Sequence, residues 1–420
     1  MASCARCHGT TGHGDGLDAK RFYPRPRDLT TGIYKFRSTA SGTPPTDEDL
    51  FQTLHHGLDG SNMPDWQHLD EATRWQIIAY IKTLSPVFEQ TAPAPITLTA
   101  DPGRAHADLK KGREVYDKLG CAACHGAAGR ANGTSAAGLM DDWGMRIRPA
   151  NLTQGWNYRG GHEPRDIMLR VLTGIDGAGM PSYVDAVAPE DAWHVAYYVA
   201  SIQESASWNP IARSSPFAGP APLEVTDPRW LLAERTTVRL RNAVTPDGEW
   251  KDPAVITAVT VQAIHTNETL SFKISWDDPT KSDQDGFDGF ALLLKPMGSQ
   301  GDVVTLQAWP YQGAPSLDGC YWSAQTSKSM IERVVTNFSD LVAPNIADAG
   351  TLSSKAEYRE GRWTLVIQRP FHPNAPSEAA ALSVGSLASV AFVVWDGDTP
   401  SVRAISPWLD VALQTKEARR

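Results

Sequence analysis

Cys4-Ala5-Arg6-Cys7-His8 and Cys121-Ala122-Ala123-Cys124-His125 are two copies of one pattern, C-x-x-C-H, set 117 residues apart. The chemistry requires this spacing. Two thiols bond covalently to the two vinyl groups of one haem, and the adjoining histidine, on the same turn, reaches the iron as proximal ligand. A thioredoxin-type redox pair or half of a zinc site would also use C-x-x-C, but no matching C-x-x-C or H-x-x-x-H stands nearby. Each motif therefore reads as a haem c attachment site, with Cys4, Cys7, Cys121 and Cys124 as the covalent anchors.

A c-type haem takes a sixth ligand, and a methionine sulfur raises its potential and closes the iron to small molecules. Met63 stands in Asp59-Gly60-Ser61-Asn62-Met63-Pro64 and Met180 in Asp176-Gly177-Ala178-Gly179-Met180-Pro181, each 59 residues after the first cysteine of its motif. An isolated methionine is usually core filler; a doubled D-G-x-x-M-P at equal spacing points to ligation instead. The offset of 117 also relates Asp49 to Asp166, Gly57 to Gly174 and Tyr80 to Tyr197, so the chain contains an internal duplication. Between haem motif and methionine the offset slips to 123, pairing Arg25-Pro26 with Arg148-Pro149 and Leu29-Thr30 with Leu152-Thr153, as loops do.

Each repeat ends in a helical pattern, over 72–84 and 192–202, with Asp70 and Glu71 or Glu190 and Asp191 at its start. These features resemble two class I cytochrome c domains, covering residues 1–88 and 108–205 with a linker at 89–107. The resemblance implies small all-α folds around two haems c, with His8 and Met63 on the first iron and His125 and Met180 on the second. Such domains carry a helix ahead of the haem motif, which the second repeat supplies as Leu109 to Leu119. The first repeat has only three residues there. Haem attachment of this kind implies a periplasmic or other extracytoplasmic location, so the expectation is that Met1 is an internal methionine of a longer chain bearing a further helix and an export signal. His13, His55, His56 and His162 read as solvated or hydrogen-bonded loop histidines. Arg25 and Arg148 read equally as partners of haem propionates or as surface arginines.

The 420 residues are 41% hydrophobic and 21% charged, which predicts roughly three domains of about 150 residues. A net charge of −9 gives no reason to expect nucleic acid or an anionic membrane surface as partner. The longest apolar-rich stretch, Ala379 to Trp395, has 17 residues and several serines, so it reads as buried strand rather than membrane span.

A second linker, 206–224, is rich in Pro, Ala and Ser, and beyond it the pattern changes to period two. Leu270, Phe272, Ile274 and Trp276 alternate with polar residues, as do Trp363, Leu365 and Ile367. Further strands are expected at 236–242, 254–265, 289–294, 303–309 and 389–395, giving an all-β sandwich over 225–420. Four strings here, Trp276-Asp277-Asp278-Pro279-Thr280, Asp288-Gly289-Phe290-Ala291-Leu292, Pro296-Met297-Gly298 and Val394-Trp395-Asp396-Gly397, resemble the haem b-binding gamma subunits of type II molybdenum oxidoreductases. That family includes subunits of ethylbenzene and dimethylsulfide dehydrogenases, of selenate and chlorate reductases, and related subunits of nitrite oxidoreductase. The resemblance implies Met297 as one ligand to a haem b and a lysine near the last strand as the other. Arg403 stands where that lysine is expected, and a guanidinium has no lone pair to give iron. Either another residue ligates, with His372, His265, Lys251 and Lys295 as candidates, or the haem b has been lost. Cys320 reads as a buried free thiol.

Taken together the expectation is an electron-transfer subunit, not an enzyme, with two haems c and at most one haem b. Its partners would be the molybdopterin and iron–sulfur subunits of an oxidoreductase and a soluble or membrane electron acceptor. The competing readings are a dihaem peroxidase or oxidase, which saturated axial ligation disfavours, and a dihaem cytochrome whose haem-free β-sandwich is a docking or carbohydrate-binding module.

Overall fold

Helix α1, Ala2–His8, is the first haem motif itself, and α6, Ala122–His125, is the second. The computed structural model describes residues 2–206, 210–242, 256–284, 286–295, 316–325, 330–342, 350–372, 380–398 and 403–415, which form an α-helical unit ending at Ser205 and a β unit beginning at Ala206.

In the α unit the duplication is visible element by element. Helix α2, Asp47–His56, and α7, Pro164–Thr173, keep the offset of 117. The start of α2 is fixed by a reciprocal cap: the Asp49 backbone N–H donates to Thr46 Oγ1 at 3.1 Å, and the Thr46 N–H donates to Asp49 Oδ2 at 2.9 Å. Helix α3, Glu71–Thr83, is capped by Asp70, which accepts from the Thr73 N–H at 2.8 Å, and its counterpart α8, Pro189–Ser201, opens with proline at its first position. A short helix, α4, Val87–Gln90, follows the first repeat.

The expected helix ahead of the second motif is α5, Leu109–Lys118, and it packs against α8 around Val115, Tyr116, Trp193 and Val195. Gly112 makes the crossing close, since a Cβ there would lie 2.1 Å from the His194 carbonyl oxygen. The stretch 89–107 is not a free linker. Trp193 Nε1 donates to Thr99 Oγ1 at 3.1 Å, Tyr197 donates to Asp101 Oδ1 at 2.8 Å, and the Ile96 N–H donates to the Ser38 carbonyl at 2.8 Å, so the segment is laid down on both repeats.

Among the described residues the β unit has fifteen strands: β1 Ile211–Pro216, β2 Thr236–Arg239, β3 Arg241–Asn242, β4 Ala258–His265, β5 Thr269–Asp277, β6 Asp283–Gln284, β7 Gly286–Phe287, β8 Gly289–Leu294, β9 Leu317–Ser323, β10 Met330–Val335, β11 Gly350–Arg359, β12 Arg362–Pro370, β13 Leu387–Trp395, β14 Arg403–Ile405 and β15 Leu409–Leu413, with one short α-helix, α9, Phe338–Val342. The expected period-two faces are present: Leu270, Phe272, Ile274 and Trp276 of β5 and Trp363, Leu365 and Ile367 of β12 line one aromatic-rich core. Two expectations are corrected. The pairing does not split into the two sheets of a sandwich; it runs β15-β1-β4-β5-β12-β11-β10-β9-β8-β13, and β13 pairs back to β15, closing the sheet like a barrel. The closing element, β1, lies inside the segment 206–224 read as linker, where it pairs in parallel with both β15 and β4. Full closure leaves no unpaired edge within that ring. The candidate strand 303–309 lies outside the described residues.

Candidate haem sites

The two histidines of the motifs are held alike. His8 Nδ1 lies 3.0 Å from the Arg27 carbonyl oxygen and His125 Nδ1 lies 2.8 Å from that of Ala150, and these acceptors are related by the same 123-residue offset found in the sequence. A carbonyl only accepts, so Nδ1 carries the proton and Nε2 keeps its lone pair for a metal. Burial lowers both imidazole pKa values, favouring the neutral, ligating form. None of the four motif cysteines is in a disulfide, which leaves each available for a thioether bond to haem.

The two methionine loops are also built alike. The Leu58 N–H donates to the Met63 carbonyl at 3.0 Å and the Ile175 N–H donates to that of Met180 at 2.9 Å. Each loop folds back over a glycine with positive φ, Gly57 at 68° and Gly174 at 64°, and a Cβ at either would lie within 2.8 Å of the methionine carbonyl. Changing Gly174 to valine is therefore expected to displace Met180 and, with Met180 as the sixth ligand that the sequence leads one to expect, to abolish the sulfur-to-iron charge-transfer absorption of one haem with the covalent haem content unchanged; an unaltered visible spectrum would count against this role for the loop.

Between the repeats lies a set of buried cations that the sequence did not single out. Arg37, whose side chain is fully buried, donates to Asp176 Oδ2 at 2.8 Å and to the Thr173 carbonyl at 3.1 Å. Asp176 also accepts from Ser41 and from the Gly42 N–H, and Arg170 reaches back to the carbonyls of Lys35 and Arg37. The Arg27 guanidinium stacks 4.0 Å from the centre of the Trp143 ring, with the Lys35 ammonium at 5.5 Å. Burial holds Arg27 and Arg170 down to about 10 and Lys35 to about 8, and lowers Arg159 as well. Arg148 and Arg159 each have a buried Nε with no hydrogen-bond partner. Buried positive charge of this kind suits the two propionate carboxylates of each haem, so the donor set and its surroundings fit the group. Of the two arginines the sequence offered for that role, Arg148 has the buried Nε.

Asp176 and its repeat partner Asp59 make a direct comparison. Asp176→Ala is expected to destabilise the α unit by about 3 kcal/mol, because it strands Arg37, whereas exposed Asp59→Ala should cost under about 0.5 kcal/mol; thermal unfolding of the two variants followed in the haem bands measures both. His55 and His56, read as loop residues, lie instead in the last turn of α2, where His55 Nδ1 meets Arg74 and its ring packs edge-on against His56; His13 contacts Thr30 and Asp28, and His162 lies beside Glu163.

Met297 and Lys251 lie outside the described residues. The other haem b candidates are placed. His265 is buried with Nδ1 2.9 Å from Ser214 Oγ and Nε2 3.0 Å from the Gln414 carbonyl, so both ring nitrogens are engaged. The Lys295 ammonium lies over Trp408 at 4.6 Å, Arg403 stacks on Phe338 at 4.4 Å, and His372 is exposed. Cys320 is completely buried as a free thiol.

A protein carrying covalent haem c in an N-terminal cytochrome c region, followed by a closed β region, is what these elements define. Residues 1–81 and 107–199 match the family described as cytochrome C oxidase, cbb3-type, subunit III. A solved chain from a Kuenenia stuttgartiensis reducing HAO-like protein complex is 38% identical, over 48% of this chain and 93% of that one, with a TM-score of 0.46. At that identity and coverage this chain belongs to one family with it. A family 9 carbohydrate-binding module from Caldicellulosiruptor kristjanssonii is 9% identical over 50% of this chain and 98% of its own, with a TM-score of 0.32. A putative carbohydrate-binding protein from Bacteroides uniformis is 12% identical over 47% of this chain and 89% of its own, with a TM-score of 0.30. Likeness at that level assigns no ligand here. No curated protein matches the chain. Among the described residues no helix is long and apolar enough to cross a membrane.

Proposed function

We propose that this chain is a dihaem electron-transfer subunit in which His8 and Met63 ligate one iron and His125 and Met180 the other. The observation that carries the reading is the duplicated geometry: in both repeats a backbone carbonyl fixes the histidine tautomer and a positive-φ glycine fixes the methionine loop. Haem c, when bound, supplies reversible one-electron exchange at iron. The chain's own residues hold the ligating nitrogens neutral, present two thioethers, and place buried cations between the repeats, where negative charge is stabilised without bulk water. Saturated ligation leaves no open position for substrate, so the chain itself is not an enzyme on this reading.

The family relation to a component of an HAO-like complex supports a redox complex as its setting. The strings resembling molybdenum-enzyme gamma subunits narrow the partner to molybdopterin and iron–sulfur subunits, with electrons passing to a soluble or membrane acceptor outside the cytoplasm. A haem b in the β unit is the finer form of that proposal and needs a second ligand other than His265 or Arg403.

Pyridine haemochrome spectra with iron quantitation test the core of this reading. Two haems c per chain are expected; a single haem c would sink the assignment of paired sites. The reduced protein should not bind carbon monoxide, and a carbon monoxide adduct in the unaltered protein would return the oxidase or peroxidase reading. Copurification from the native source tests the partner, against which a chain that always ran as a lone monomer would count.

A further inference from the structure

The inward-facing rows of the β unit end in acidic groups at two places, and the two are neutralised differently. Asp318 precedes inward Cys320 and Trp322 on β9, and with Glu332 it meets Arg369: Nη2 lies 2.6 Å from Asp318 and Nε 2.7 Å from Glu332. Towards the other end of the same ladder, Asp278 lies two residues beyond inward Trp276, Asp288 two residues before inward Phe290, and Asp396 two residues beyond inward Val394. Ligand oxygens of these three carboxylates all lie within 4.8 Å of one another, and the residues are 0%, 0% and 5% exposed.

No lysine or arginine pairs with Asp278 or Asp288 among the described residues; Arg362 bonds neighbouring Asp277 instead. Asp278 Oδ1 accepts from the Thr280 N–H and Oγ1, while its buried Oδ2 has no partner at all. Asp288 accepts from the N–H groups of Ser282 and Gly397 and from Trp363 Nε1, which orient its carboxylate without neutralising it, and the Asp398 N–H donates to Asp396 Oδ1. Three of the sequence strings noted above thus converge on one point that the haem chemistry leaves unexplained.

We propose that Asp278, Asp288 and Asp396 form a calcium site that ties together the ends of β5, β8 and β13. Hard carboxylate oxygens are calcium's preferred ligands, and oxygens within 4.8 Å of one another are close enough for their side chains to close on one ion. The ion supplies the positive charge that Arg369 supplies at the other cluster. Burial and mutual repulsion raise the carboxyl pKa values of Asp278 and Asp288 in its absence, so protons are the competing neutraliser.

The test uses the full-length haem-loaded protein, treated with chelator and titrated with calcium chloride by calorimetry, with haemochrome content as the control for the haem sites. One calcium per chain is expected, with a rise in the unfolding temperature of the β unit. Asp278→Asn, which keeps the side-chain shape, is expected to weaken binding at least a hundredfold. Should that variant fail to fold, Asp396→Asn is the second variant, and the calcium titration of the unaltered protein decides by itself. Absence of binding at millimolar calcium, or binding of magnesium in preference, would overturn the proposal. Because the readout is calcium occupancy, loss of this site leaves the dihaem reading standing, and failure of the dihaem reading leaves this one standing.

Discussion

On the proposed dihaem ligation, Met180→Ala is expected to lower the reduction potential of one haem by on the order of a hundred millivolts and to open its iron to carbon monoxide, the other haem being unchanged. The reasoning starts from the loop rather than the ligand. The Met180 backbone is fixed by its carbonyl bond to the Ile175 N–H at 2.9 Å and by the close approach over Gly174, so truncating the side chain leaves the loop in place. What is lost is a thioether that favours the reduced iron, and nothing supplied by alanine replaces it. Met63→Ala should do the same to the other haem, since its loop is the repeat of this one. Met140, 53% exposed in the same repeat, is the control, and Met140→Ala should leave both potentials unchanged. Redox titration followed in the visible bands reads all three, and an unshifted potential in Met180→Ala would remove that residue from the ligand set.

Much of the α unit is legible in the sequence because its chemistry is local. A haem motif occupies one turn, and a doubled D-G-x-x-M-P at equal spacing needs no knowledge of packing. The helices expected at 72–84, 109–119 and 192–202 differ from the observed ones by at most three residues at either end. The seam between the repeats is not legible, because nothing in the string Tyr34-Lys35-Phe36-Arg37 says that Arg37 will be swallowed by a carboxylate and a carbonyl more than a hundred residues away. The same reason hides the closure of the β unit. β1 has the Pro, Ala and Ser content of a linker, and its partners β15 and β4 come from distant parts of the chain. Alternation identified which residues of β5 and β12 face inward but could not say whether their ladder splits into two sheets or closes. The strings around Asp278, Asp288 and Asp396 were visible as strings; their convergence required the register of three strands.

Arg369→Met is expected to cost roughly 3–5 kcal/mol of β-unit stability, because it removes the cation that bridges two buried carboxylates. Arg369 is fully buried and spends its remaining donors on the carbonyls of Ala380 and Pro370, so no water replaces what it gives Asp318 and Glu332. The pH dependence has a definite sign. Burial already raises both carboxyl pKa values in the folded chain, and Arg369 is the group that pulls them down. Without it they rise further above their unfolded values near 4, so the folded state binds more protons than the unfolded state and stability falls as pH rises through that window. The gap between the variant and the unaltered protein should therefore be widest at pH 8 and narrow towards pH 5, read from the β-unit transition in calorimetry of the full chain. Combining Arg369→Met with Asp318→Asn and Glu332→Gln should recover most of the loss, since the cost lies in stranding charge rather than in losing attraction. A single variant whose deficit did not change with pH would mean that packing around the guanidinium stem, not its charge, holds the strands β9, β10 and β12 together at this end of the sheet.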